Sequence, residues 1–117
     1  MSSPWKFERS HYRIEYPVPA RPTLHLTGPF APGVVADVVD CSERGLRFAL
    51  PIVFDLPEIG TPVGGHLVFR SGAELDVAGV VVRLQEGEVA IRFGEKAIPL
   101  AVVLGEQRWL RAHYPMR

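Results

Sequence analysis

Glycine and proline spacing constrains this chain more than any other feature. Eleven of each interrupt its apolar runs. Both residues weaken a helix interior, proline by removing a donor and clashing with the preceding turn, glycine through backbone entropy. The runs between them are β-branched and alternate in polarity, the period that buries one face of a strand. Short strands at this spacing predict an all-β sandwich or barrel.

Six strands are expected. Thr23–Thr27 ends at Gly28-Pro29, and Gly33–Asp40 (GVVADVVD) is rich in β-branched valine. Gly45–Leu50 alternates and stops at Pro51. Residues 51–62 hold Pro51, Pro57, Gly60 and Pro62 and read as a surface loop. Gly65–Arg70 and Glu74–Leu84 flank the Ser71-Gly72 turn; Glu86-Gly87 is a second turn, and Glu88–Phe93 is the sixth strand. A closed or nearly closed antiparallel barrel removes exposed edges from such a set.

The period changes after Pro99. Leu100, Val103, Leu104, Gln107, Leu110 and Arg111 recur at helical intervals, which predicts an amphipathic C-terminal helix over residues 99–112. Gly105 weakens that helix by roughly 1 kcal/mol relative to alanine, so packing must hold it. Residues 1–22, polar and aromatic with Pro17, Pro19 and Pro22, read as a flexible N-terminal arm. Residues 23–117 read as the barrel with its helix, a single domain overall.

Composition narrows the function classes. A hydrophobic content of 47% over 117 residues supports one genuine core. Thirteen basic and thirteen acidic residues cancel, so no global field draws the chain to a nucleic-acid polymer or an anionic membrane. Any anion site must be local. One cysteine excludes an internal disulfide and suits a reducing compartment. The opening residues carry charges and no apolar core of a secretory signal, and Ala97–Gly105 is too short to span a bilayer. These features predict a cytoplasmic protein without direct membrane insertion.

Two short stretches carry chemistry. Arg9-Ser-His-Tyr-Arg13 places two guanidiniums four residues apart in the arm. Each is a planar fork that matches phosphate or the O6/N7 edge of guanine. Asp40-Cys-Ser-Glu-Arg-Gly45 places a carboxylate, a hydroxyl and a permissive glycine between two strands. An ionised Asp40 accepts from the N1–H and N2–H₂ donors of guanine, Ser42 donates or accepts beside it, and Gly45 allows a positive φ or a close approach of ligand to backbone. Taken alone, Asp-x-Ser-x-x-Gly is common turn chemistry. The two stretches in this order, with a strand between, are far more specific.

With these residues the chain resembles the PilZ domain family, bacterial receptor modules for cyclic di-GMP. Arg9 and Arg13 match the family's RxxxR arm, and Asp40, Ser42 and Gly45 its [D/N]xSxxG turn. Gly79-Val-Val-Val-Arg83 followed by Val89-Ala-Ile-Arg-Phe93 resembles its later hairpin. The resemblance implies a six-stranded antiparallel β-barrel with the nucleotide on its outer surface, and an arm that is mobile when empty and wraps the ligand. By position, Arg9 and Arg13 contact phosphates and guanine O6/N7 edges, while Asp40 and Ser42 hold a guanine from the other side. Arg83 is a candidate contact to the second base, Val81 an apolar wall on the same strand face, and His11 a further arm contact. Glu8 stands where the family often has another arginine. Its charge opposes a dianion, so one nucleotide per chain, or weaker binding, is expected. Ordering five arm residues costs up to about 10 kcal/mol at 1–2 kcal/mol each, so both arginines should be required.

Other classes are weaker. The four histidines form no HxH or HExxH spacing, so no metal is expected. Cys41 alternates with Asp40 and Ser42 and should be a buried thiol. Asp37 and Asp40, three apart on one strand, should face opposite sides and form no acid/base pair. Ser42 lies in no nucleophile elbow. No catalytic residue and no cofactor besides the nucleotide ligand is expected. The family's role implies a non-enzymatic receptor that signals to a protein effector in trans, in motility, pilus or exopolysaccharide control. The alternative is an adaptor of the same fold that binds no nucleotide.

Overall fold

The computed structural model describes residues 13–51 and 54–115. Seven strands and one helix follow in chain order: β1 Ile14–Glu15, β2 Thr23–Leu26, β3 Val35–Cys41, β4 Gly45–Ala49, β5 Pro62–Val68, β6 Glu74–Gln85, β7 Glu88–Phe93 and α1 Leu100–His113. Each strand in the sequence β3, β2, β5, β6, β7, β4 pairs antiparallel with the next, and β4 pairs with β3 again. The result is a closed six-stranded antiparallel barrel with one C-terminal helix.

The alternation predicted from sequence supplies the interior. Leu46 on β4 is opposite Ile91 on β7, which is opposite Val81 on β6. Val38 on β3 is opposite Phe48, which is opposite Val89. All six side chains are buried, together with Leu24, Leu26, Leu67 and Val77. Full burial of a side chain of this size contributes roughly 1.5–3 kcal/mol. The β6–β7 turn carries positive φ at both Glu86 and Gly87, the left-handed pair that matches the twist of a two-residue hairpin.

Two bulges break the alternation, and both bear on the site. Val38 is paired with Phe48 but Asp40 with Arg47, so Val39 is an extra residue in β3. Val81 is paired with Ile91 but Arg83 with Ala90, so Val82 is an extra residue in β6. A bulge reverses the inside–outside parity of everything beyond it.

The arm expected over residues 1–22 is divided. Residues 1–12 lie outside the described residues, whereas the stretch from 14 to 22 belongs to the barrel. β1 pairs with β3 beyond the end of β2, Ile14 opposite Cys41 and Glu15 opposite Asp40. A short 3-10 turn, Val18–Ala20, leads into β2. Ile14, Tyr16 and Ala20 are buried in the core. Their isolated apolar character among prolines gave no strand period. Strand β5 begins at Pro62, earlier than expected; proline is tolerated as the first residue of a strand.

Helix α1 closes one side against β1. It buries Val103 and Leu110 as its period predicts, and between them Glu106, while Leu100 stays exposed. Glu106 is accommodated because it accepts from the Tyr16 hydroxyl at 2.7 Å and from the Ser71 hydroxyl. One buried carboxylate thus joins α1 to the chain just after β1 and to the β5–β6 turn.

Candidate functional site

Asp40 is the centre of the site. It stands at the end of β3, beyond the Val39 bulge, and is only 4% exposed. Without that bulge it would have the parity the sequence suggests, opposite to Asp37. With it, both carboxylates leave the barrel interior, Asp37 exposed and Asp40 covered. A buried carboxylate needs cations or donors, and Asp40 has two. Arg13 donates to its Oδ2 at 2.8 Å, and Arg47 is ion-paired with the same oxygen at 2.7 Å. The contact raises the Arg13 pKa further above its ordinary value, chiefly through the hydrogen bond to Asp40. Arg47 is cross-strand from Asp40 on β4 and reaches Glu88 Oε1 at 3.3 Å with its other terminal nitrogen.

The turn after β3 is closed by its own polar atoms. The Ser42 amide donates to the Gly45 carbonyl at 2.9 Å, and the Arg44 amide donates to Ser42 Oγ at 3.2 Å. Ser42 therefore acts as turn chemistry while still bordering the site. Gly45 has no positive φ. It is glycine because a β-carbon there would collide with the Ile91 carbonyl of β7. The close approach that it permits is between two strands.

These residues border an open cavity of about 440 Å³ on the outside of the barrel, where Arg13, Asp40, Ser42 and Gly45 are brought together with Arg83. The Val82 bulge places Arg83 outward, as expected, while Val81, ahead of the bulge and on the face of buried Val77, stays in the core at 1% exposure. The expectation that Val81 shares Arg83's face is thus corrected. Val82, 41% exposed, supplies the apolar wall instead. Arg9, His11 and Glu8 lie outside the described residues.

Sequence reasoning missed Arg44, Arg47, Arg92 and Glu88, which line the same cavity. Arg47 was legible as outward from the alternation of Gly45-Leu-Arg-Phe-Ala49, but its pairing with Asp40 depends on the bulged register. Arg92 is opposite Gly45 on one side and Val80 on the other, a neighbourhood that spacing along the chain does not reveal. Five arginines and two carboxylates line the cavity, a local excess of three positive charges on a chain of net charge zero. Arg44, Arg83 and Arg92 have no ion-pair partner among the described residues.

Behind the site, the next residue along β3 turns inward. Cys41 is buried as expected, and burial pushes its thiol up to about 12. Its sulfur is 3.7 Å from the Tyr16 hydroxyl, whose pKa is raised by burial first and by Cys41 and Glu106 second. The thiol and the phenol here are structural interior groups.

The closed antiparallel barrel thus carries an arginine-lined cavity on its outer wall, bordered at one side by the Arg13–Asp40 ion pair. The PilZ domain family model matches residues 7–103, and the chain belongs to that family, whose members are cyclic di-GMP receptor modules. The match spans both the Arg9–Arg13 stretch and the Asp40–Gly45 turn. No curated protein matches the chain. Among the described residues, no helix is long and apolar enough to cross a membrane.

Proposed function

We propose that this chain is a non-enzymatic cyclic di-GMP receptor that acts in the cytoplasm and signals to a protein effector in trans. The observation that carries this reading is the contact between Arg13 and Asp40, which lie 27 residues apart and meet at the wall of an otherwise cationic cavity. Arg13, with Arg9 from the preceding stretch, supplies guanidinium forks for phosphates and for guanine O6/N7. Asp40 and Ser42 take the opposite edge of a guanine, and Gly45 keeps the turn tight against β7. Arg83, Arg44 and Arg92 add unpaired donors, and Val82 an apolar surface for a base.

The nucleotide carries two negative charges, and the cavity's excess positive charge suits it without making the whole chain basic. Binding orders the arm, and the ordered arm presents a surface that an effector recognises. The coupling is the difference in effector affinity between the two arm states. Motility, pilus or exopolysaccharide machinery is the class of output this implies. Glu8 opposes a second dianion beside the arm, so one nucleotide binds per chain.

Isothermal titration of cyclic di-GMP into the wild type, Arg9→Ala and Arg13→Ala tests this. The expected result is one site per chain, with each substitution weakening binding at least tenfold. Wild-type affinity in either variant contradicts the assignment of that arginine, and a stoichiometry near two contradicts the role given to Glu8. Absence of both binding heat and a ligand-induced thermal shift in the wild type would leave the nucleotide-blind adaptor.

A further inference from the structure

The Arg13–Asp40 contact poses a problem for any ligand that must recruit Arg13. Asp40 is buried, and a buried carboxylate stripped of its only cation is strongly disfavoured. If Arg13 were that only cation, the ion pair would compete directly with the ligand. Arg47 removes this obstacle. Its terminal nitrogen is ion-paired with the same Oδ2 at 2.7 Å, it sits on the strand directly opposite Asp40, and its other terminal nitrogen is paired with Glu88. Its Nε is shielded from solvent and has no acceptor. A buried unpaired N–H is rare and is readily satisfied when an acceptor comes free. The open donor therefore belongs to the side chain already paired with Asp40, which can take over the carboxylate from Arg13 as a guanidinium fork holding both oxygens.

We propose that Arg47 is the positioning residue of the site, the resident counter-ion that lets Asp40 release Arg13 to the ligand. The proposal takes cyclic di-GMP as that ligand. Arg47 acts through Asp40 and does not itself contact the nucleotide. Removing it leaves Arg13 as sole counter-ion, fixes Arg13 on Asp40, and weakens binding by an indirect route.

Two measurements test this. The first needs no nucleotide: NMR of guanidinium rotation at Arg13 in the wild type and in Arg47→Met, whose unbranched stem keeps the packing that alanine would remove. Rotation at Arg13 should slow several-fold in the variant; unchanged rotation overturns the proposal. The second is a cycle with Asp40→Asn, which removes the charge but keeps an amide that the family's turn motif accepts. Titrated with cyclic di-GMP, Arg47→Met should cost at least tenfold in the wild-type background and less than threefold beside Asn at position 40. Arg47→Lys, which keeps the charge but not the fork, should recover only part of the loss. An equal cost in both backgrounds would make Arg47 a direct ligand contact and sink the positioning role. If the wild type binds no nucleotide, the receptor reading falls, while the ligand-free measurement still decides whether Arg47 controls Arg13.

Discussion

Gly45 on β4 lies so close to the carbonyl of Ile91 on β7 that no β-carbon fits between them. The strand pair that forms the floor of the site is thus held at a separation only glycine permits. Gly45→Ala must push β4 from β7, and overpacking of this kind costs roughly 1–3 kcal/mol. Gly94→Ala, with open space around it and no positive φ, is the control. Urea unfolding should show a clear loss for the first and little change for the second. Equal stability of the two would mean that the close approach has no energetic weight.

The unpaired arginines make a separate claim about charge. Arg92→Glu lowers the cavity's excess from three positive charges to one. Cyclic di-GMP affinity should fall at least tenfold at low ionic strength, and the gap should narrow with added salt as screening sets in. Folding stability should change by no more than about 0.5 kcal/mol, because Arg92 is exposed. Titrations at two salt concentrations decide this; a loss indifferent to salt would contradict it.

Tyr16 ties the end of the arm to the helix through Glu106. Tyr16→Phe leaves that buried carboxylate with Ser71 as its remaining described hydrogen-bond donor, at a cost of roughly 1–3 kcal/mol. Chemical denaturation should register the loss. Stability equal to wild type would show that Glu106 finds another donor.

Helix α1 carries a correctable weakness. Gly105 is helical, and a β-carbon there would meet only the tip of the Arg108 side chain, at 3.9 Å. Gly105→Ala should stabilise the protein by about 0.5–1 kcal/mol, through lower chain entropy in the unfolded state and better helix propensity. A thermal midpoint that fails to rise would place the helix under a constraint not visible in its packing.

His66 sits between two carboxylates on the barrel surface, 2.9 Å from Glu74 Oε1 and 2.9 Å from Asp76 Oδ1. The hydrogen bonds to Glu74 and then Asp76 raise its pKa above the ordinary 6.5, and Asp76 is held below its ordinary 3.8 chiefly by the bond to His66. A raised histidine stabilises the fold fully below pH 6.5 and loses that contribution as pH rises through its folded value. A lowered aspartate contributes above pH 3.8 and loses it as pH falls through its own. The cluster is therefore strongest between about pH 4 and 6.5. An imidazole titration by NMR should give a His66 midpoint above 6.5, and Glu74→Gln should bring it down.

Much of this molecule was legible before its coordinates. Glycine and proline mark the ends of strands because they act on the backbone locally, whatever surrounds them. The Glu86-Gly87 turn, the helix after Pro99 and the inward Leu46, Phe48, Val89 and Ile91 follow from local periods that burial then enforces. The Arg13, Asp40, Ser42 and Gly45 set was found because its members fall in two short stretches of recognisable chemistry.

What the sequence left open turns on parity and on distance along the chain. An extra residue at Val39 or Val82 looks like any other valine in a β-branched run, yet each reverses the face of all that follows. That is why Arg83 lies at the cavity while Val81 stays in the core, and why Asp40 came to lie beside Arg47. Nothing in the helical period marks Glu106 as buried; Tyr16 and Ser71, far away in sequence, had to be folded against it. Local propensity writes strands and turns into the chain, but the partner that neutralises a buried charge is chosen only when the barrel closes.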